Sequence, residues 1–436
     1  MTERRALIAL AVPLAAQQVG NQLMATVDAA MLGRYSEAAL AGAGVANNLL
    51  FAITSIGIGI VMGMDTVVPQ ALGAKRIDDA RRAVGAGIRL SILVGLMATL
   101  VVFAMPLLMR MVKVQPEILA EATPYIYIRA LGIVPILITV ALRSFLAAHH
   151  KTRPLVVGMI VGNLANLVFD YLLIFPAGMG VLGAAVATSF VQIVTVAIYL
   201  ASARSIYPTP APASTSEDLR TVVRYGAPVG GQIFAEVGIF GVATMIAAHL
   251  GEREAAAHAI ALGIVSMTFS FAMGIAAATS VQVGNAVGAR EWALARSRGF
   301  LGMRVGLVVM ACFAIALVFI PNALVRVFTD DAPVIAAAAP LLAIAALFQL
   351  FDGTQAIAAG ALRGLGHTSA TLYGNLVGHY MVALPVILIL AFTLDLGIVG
   401  VWWGLSLGLT VTAGYLVLMF IRGCKRLPEE HPPTPC

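Results

Sequence analysis

Two stretches decide the fold when they are set side by side: Gln70-Ala71-Leu72-Gly73-Ala74-Lys75 and Asn285-Ala286-Val287-Gly288-Ala289-Arg290. Each closes a long apolar run. Both read amide, alanine, aliphatic, glycine, alanine, base, and they lie 215 residues apart. Similar offsets recur along the chain. Pro13 with Gln17 and Gln18 corresponds to Pro228 with Gln232, Leu32-Gly33 to Leu250-Gly251, and Ala38-Ala39 to Ala256-Ala257. Leu142-Arg143 returns as Leu362-Arg363, and Gly180 and Gly183 return as Gly397 and Gly400. With offsets of 215 to 220 and the order kept, the chain reads as one unit duplicated.

What is duplicated is a set of membrane spans. Of 436 residues, 60% are hydrophobic and 11% charged, against about half and about a quarter in a soluble globular protein. A helix needs roughly 20 apolar residues to cross a bilayer core. Runs of that length fall at 6–33, 39–68, 83–109, 122–148, 154–176, 181–202, 221–250, 255–283, 299–323, 333–362, 369–394 and 397–421. The expected fold class is therefore all-α integral membrane, with twelve transmembrane helices. Six spans per half is an even number, so both halves enter the bilayer in the same sense. That is a parallel repeat: two pseudo-symmetric six-helix bundles around a central cleft. The domains expected are an N-terminal six-helix lobe (1–202), a cytoplasmic linker (203–220), a C-terminal six-helix lobe (221–421) and a cytoplasmic tail (422–436). Pro208, Pro210, Pro212, Ser214, Thr215 and Ser216 mark the linker as flexible.

The net charge of +6 is accounted for by topology. Of the 27 Lys and Arg residues, 21 flank the spans on one side, 5 flank them on the other, and Arg129 lies inside the fourth span. The basic side is cytoplasmic, which places both termini inside and leaves no basic surface for nucleic acid. Arg129, about seven residues in, reads as a base that snorkels outward. The apolar run after Arg5 is too long for a signal-peptide core and reads as a permanent span. Cys312, Cys424 and Cys436 have no paired spacing, so neither a disulfide framework nor a metal knuckle is expected. Trp402 and Trp403 open the last span and read as an interfacial aromatic belt. There is no N-x-Ser/Thr acceptor, and the compact loops suit a bacterial cytoplasmic (inner) membrane.

Ionisable groups inside the bilayer cost at least a few kcal/mol each, so each invites a functional reading. Asp28, Glu236 and Asp352 lie well within spans, and Asp170 lies nearer the outer third. Polar neighbours recur at helical spacing: Gln17, Asn21 and Asp28; Asn163, Asn166 and Asp170; Thr188, Gln192 and Thr195; Gln232 and Glu236; Gln349, Asp352 and Gln355; Asn375 and His379. Lipid does not face such stripes. Carboxylates with amide and hydroxyl oxygens are hard ligands suited to Na+, and the same carboxylates, once desolvated, can carry a proton. The bland reading is interhelical hydrogen bonding; it suits the amides and hydroxyls better than the acids. Asp65 reads as a group capped or paired near the cytoplasmic end of span 2, and His258 as a packing residue. No compact nucleophile–base or metal cluster is present, so an enzyme is not expected.

These residues resemble the multidrug and toxic compound extrusion (MATE) family, in its bacterial multidrug efflux branch, over about residues 6–421. The points of resemblance are Asp28 followed by Met31-Leu32-Gly33, the run Pro69 to Ala74, Gly183 to Thr188, Ala256-Ala257-His258, Val281 to Ala289, and Gln349 to Gly366. The resemblance implies two six-helix lobes and alternating access. It also implies antiport that exports amphipathic organic cations against Na+ or H+. Asp28, Asn166, Asp170 and Thr188 match the family's cation-binding positions, and Glu236 and Asp352 match its second-half acids. Asn21, Gln192, Gln232, Gln355 and His379 are the expected substrate-cleft residues. No cofactor is implied beyond the coupling ion, Na+ or H+, and no metal beyond Na+ at those residues. The expected partners are small organic cations, the ion and membrane lipid, with the chain acting as a monomer. The competing reading is a lipid-linked sugar or metabolite flippase of the same superfamily. It would line its cleft with several bases, and such bases are scarce in the spans here.

Overall fold

A computed structural model describes residues 3–209 and 211–425. Pro210 of the linker, Arg426, Cys436 and most of the expected tail lie outside the described residues. Two compact units emerge, and each is described by itself.

The first comprises Ala16–Gly230. It takes α1 (Glu3–Tyr35) from Ala16 onward, then α2 (Glu37–Val61) running on into α3 (Met64–Gly73). Next come α4 (Ile77–Phe103) with α5 (Met105–Met111), and α6 (Pro116–Leu131) with α7 (Ile133–Ala148). The unit ends with α8 (Arg153–Ile174), α9 (Val181–Ile206) and the first turns of α10 (Ser216–Leu250), as far as Gly230. The second unit holds α1 up to Ala15 and the chain from Gly231. Its helices are the rest of α10, α11 (Glu252–Gly288), α12 (Trp292–Phe319) with α13 (Pro321–Arg326), and α14 (Ala332–Leu365). Then follow α15 (Thr368–Asn375), a π-helical stretch Leu376–Ala383, α16 (Leu384–Leu388), a second π-helical stretch Ile389–Thr393, and α17 (Gly397–Lys425).

Taken with their continuations, these helices make twelve spans where hydropathy places them. Ten are long and apolar enough to cross a membrane, and the bent pair α6–α7 adds another. The remaining one, α1, has the length at 33 residues, but Gln17, Gln18, Asn21, Gln22 and Asp28 dilute its apolar run. Among the described residues there is no strand.

The repeat reaches into backbone geometry. Lys75 and Arg290, the last residues of the two opening stretches, sit at φ 59° and 63°. Each belongs to a helix-terminating turn in which the next amide reaches back five residues: Arg76 N to Ala71 O, 2.9 Å, and Glu291 N to Ala286 O, 2.9 Å. This is the Schellman pattern, with a base where glycine is usual. His150 and Gly366 repeat it at φ 56° and 83°.

Close helix crossings repeat too. A Cβ on Gly59 of α2 would come closer than 3.0 Å to the backbone of Gly230 on α10, and one on Gly63 would meet Val222 and Gly226. Gly59/Gly63 and Gly226/Gly230 are both glycines four apart, the spacing that lets transmembrane backbones approach. In the second unit Gly274 of α11 meets the backbone of Ala15 on α1 in the same way, 215 residues along in one partner.

Two sequence expectations are corrected. The linker segment between α9 and α10 is tied down: Arg81 Nη2 donates to Thr209 O (2.6 Å) and Oγ1 (3.1 Å), and Arg89 Nη1 donates to Ser214 O (2.7 Å). Its carbonyls find arginine donors on α4, so the proline-rich composition does not make it free. Trp402 is fully buried against Phe348 and His258, whereas Trp403 is exposed. Neighbouring residues on a helix point about 100° apart, so only Trp403 can face outward.

Candidate functional site

The first-half acids converge. The outer face of α8 carries Leu164, Leu167, Val168 and Leu172, all exposed. That leaves Asn166 and Asp170, one turn apart, buried on the inner face. Asp28 of α1 is buried as well, and its Oδ2 lies 3.0 Å from the Thr188 hydroxyl of α9. The same hydroxyl lies 2.8 Å from the Ala184 carbonyl oxygen. It has one proton to give, so one of the two acceptors goes without. Asp170 lies beside Asp28 and Asn166. Asp28 Oδ1, both Asp170 carboxylate oxygens and Asn166 Nδ2 are buried without a hydrogen-bond partner. Two carboxylates with three unmatched oxygens, an amide and a hydroxyl thus share one buried cluster; hard oxygens of this kind can ligate a small cation, and desolvated carboxylates can carry a proton. Among the described residues no three His, Cys, Asp or Glu side chains converge as for a tightly held metal.

Tyr125, Asn47 and Arg129 were not counted in this group from the sequence. Tyr125 is buried on α6 and its hydroxyl donates to Asn47 Oδ1 on α2 (3.1 Å). Arg129 follows one turn later, close to Tyr125 and Asp170. Its Nε and Nη1 are buried without partners, so the head does not snorkel into a headgroup layer as the sequence led us to expect. The i, i+4 pairing of Tyr125 with Arg129 was the signal available for it.

The second-half residues form their own group. Glu236 of α10 is half-buried and close to Asp352 of α14, which is buried. Gln355 Nε2 reaches Glu236 Oε2 at 3.5 Å and Asn375 Oδ1 at 3.4 Å. Gln232 is buried beside Glu236 and retains an unpartnered Oε1. His379 is fully buried with neither ring nitrogen hydrogen-bonded, and its ring faces Phe240 at 6.5 Å. It sits in the π-helical stretch Leu376–Ala383, a geometry frequent at functional sites. Pro385, just beyond, has no N–H to continue the α-helical ladder, and the wider turn before it accommodates that.

Other polar residues go elsewhere. Gln349 binds Thr268 Oγ1 (2.8 Å) and Met310 O (3.4 Å), and ties helices together. Gln17 donates to Tyr199 (3.0 Å). Asn21 is exposed and Gln192 half-buried, and neither joins the Asp28 cluster. Asp65 accepts from the Ser144 hydroxyl. His258 packs on Trp402 with Nε2 3.2 Å from the Thr244 hydroxyl.

Comparison with known proteins follows the same two halves. The MatE family pattern matches twice, at residues 13–172 and 228–389. The probable multidrug resistance protein NorM of Pseudomonas putida KT2440 is 35% identical over 98% of this chain and 96% of its own length. The protein of the same name from Bradyrhizobium diazoefficiens is 32% identical over 96% and 93%. Among solved structures, the eukaryotic MATE transporter AtDTX14 superposes with a TM-score of 0.91 at 21% identity, covering 98% of each chain. A multidrug resistance MATE family transporter in an outward-facing conformation gives 0.88 at 20% identity over 98% and 96%.

Proposed function

The chain belongs to the MatE family of multi-pass membrane transporters, and from that premise we propose that it is a secondary active antiporter. It exports amphipathic organic cations in exchange for Na+ or H+ by alternating access, across a bacterial cytoplasmic membrane with both termini inside. The observation that carries this reading is the Asp28–Asp170 pair, with three buried carboxylate oxygens that no protein group satisfies. Two like charges held together away from water favour uptake of a cation or a proton. In the second half, Glu236 and Asp352 supply the negative charge that attracts an organic cation, while Gln232, Gln355 and His379 offer polar contacts within a largely apolar setting. If ion and drug each favour a different conformational state, each lowers the other's affinity by the same factor. Inward flow of the ion then drives the drug outward.

Ethidium efflux from proteoliposomes, with Na+ and H+ gradients imposed separately, tests this. We expect one gradient to drive efflux, and Asp28→Asn and Glu236→Gln each to slow it at least tenfold. No efflux under either gradient refutes the antiport reading.

A further inference from the structure

Arg129 is a base within the fourth span, and the cation site as described does not use it. α6 ends at Leu131, and a 43° bend at Gly132 separates it from α7. The freed carbonyls are met locally: Ala130 O accepts from Thr99 Oγ1 (3.1 Å) and Ile128 O from Ser189 Oγ (3.4 Å). Ser189 directly follows Thr188. The last turn of α6 is therefore docked on α9 one residue from the hydroxyl that binds Asp28. This fixes Arg129 beside the acid pair, with Tyr125 one turn below on the same face. The guanidinium closes no ion pair with either carboxylate among the described residues, and its Nε and Nη1 stay unpartnered. Unmatched donors and unmatched acceptors thus share one buried cluster without being joined.

We infer that Arg129 is a tethered cation that sets how many coupling ions the Asp28–Asp170 site holds, and how tightly. The inference rests on that cluster being the ion site. A guanidinium stays charged under all physiological conditions. Counted with it, two ionised carboxylates carry a net charge of minus one, which one monovalent cation neutralises. Without it the pair carries minus two, so the site retains its ion more strongly or takes a second. Arg129 acts through charge and does not ligate the ion, so it is a positioning residue.

The test is equilibrium binding of 22Na+ to purified, monodisperse protein in detergent at pH 8, without drug, so that transport plays no part in the readout. We expect Arg129→Gln to bind Na+ at least tenfold more tightly than wild type, or to bind two ions where wild type binds one or none. Arg129→Lys keeps the charge and should match wild type. Arg129→Met supplies the same charge loss if the glutamine variant does not fold. Asp28→Asn should abolish binding. Unchanged, weaker or undetectable binding in the neutral variants, with binding to wild type lost in Asp28→Asn, overturns the role of Arg129 and leaves the site standing. Full binding in Asp28→Asn overturns the site, and this inference with it.

Discussion

Thr188 has one hydroxyl proton and two acceptors within reach, Asp28 Oδ2 and the Ala184 carbonyl oxygen. When the carboxylate is ionised it is the stronger acceptor, and a hydrogen bond to a charged group is worth about 1.5–3 kcal/mol. Thr188→Ala should therefore raise the coupling-ion concentration for half-maximal ethidium efflux by roughly 10-fold or more, while Thr188→Ser stays near wild type. An alanine variant with unchanged ion dependence would make the hydroxyl a helix-packing group and nothing more. Asp28, Asn166, Asp170 and Thr188 were legible in the sequence because a polar group in hydrocarbon is costly enough to stand out. Arg129 was not: seven residues from a span end, a long basic side chain has the reach to escape to the interface, and composition does not tell which way it turns. His379 was visible as a buried polar residue, but the π-helical turn that carries it was not, because nothing at Leu376–Ala383 other than the nearby Pro385 distinguishes it from an ordinary helix.

Two helix crossings depend on the absence of side chains. Gly59 against Gly230, and Gly274 against Ala15, leave no room for a Cβ, whereas around Gly44 and Gly241 nothing lies within 4 Å. We expect Gly59→Val and Gly274→Val to lower the melting temperature in detergent by several degrees, since overpacking costs about 1–3 kcal/mol. Gly44→Val and Gly241→Val should leave it within a degree or so. The glycines four apart were readable in the sequence, but which helix met them was not. The connection between α9 and α10 shows the same limit. Its anchors are backbone carbonyls held by Arg81 and Arg89, bases that otherwise serve to orient the spans. The Arg81 guanidinium also lies 5.2 Å over the ring of Tyr207. His149, just past the end of α7, completes the clip: Nδ1–H donates to Phe145 O (2.9 Å), which leaves Nε2 to accept from the Tyr207 hydroxyl (3.1 Å). Burial holds this imidazole below its ordinary pKa, so the folded clip favours the neutral ring. Its contribution is full above the unfolded value of about 6.5 and is lost as pH falls below it. Protease cleavage within 207–215, scaled to a denatured substrate, should be several-fold faster at pH 5.5 than at pH 7.5. In His149→Phe the difference should vanish; a pH effect of the same size there would place the switch elsewhere.

At the scale of the whole chain, duplication and charge distribution make one joint demand. Family matches at 13–172 and 228–389 each begin in the first span of a six-span half and end within its fifth. An even block size requires that equivalent loops of the two halves emerge on the same side. The distribution of 21 bases on one side and 5 on the other then predicts which side is cytoplasmic, because bases near span ends resist translocation. The demand is checkable after Cys312, Cys424 and Cys436 are replaced by serine. Gln115→Cys, in the exposed turn before α6, should react with a membrane-impermeant maleimide in right-side-out spheroplasts. Ser216→Cys, at the exposed start of α10, should react only in inside-out vesicles. Arg326 is the last residue of α13, in the second half, and Ala332→Cys, at the start of α14 after the connecting loop, should label from the same side as Gln115→Cys. Opposite sidedness at 115 and 332 would break the parallel repeat itself. Reversal of all three together would leave the repeat intact and place both termini outside.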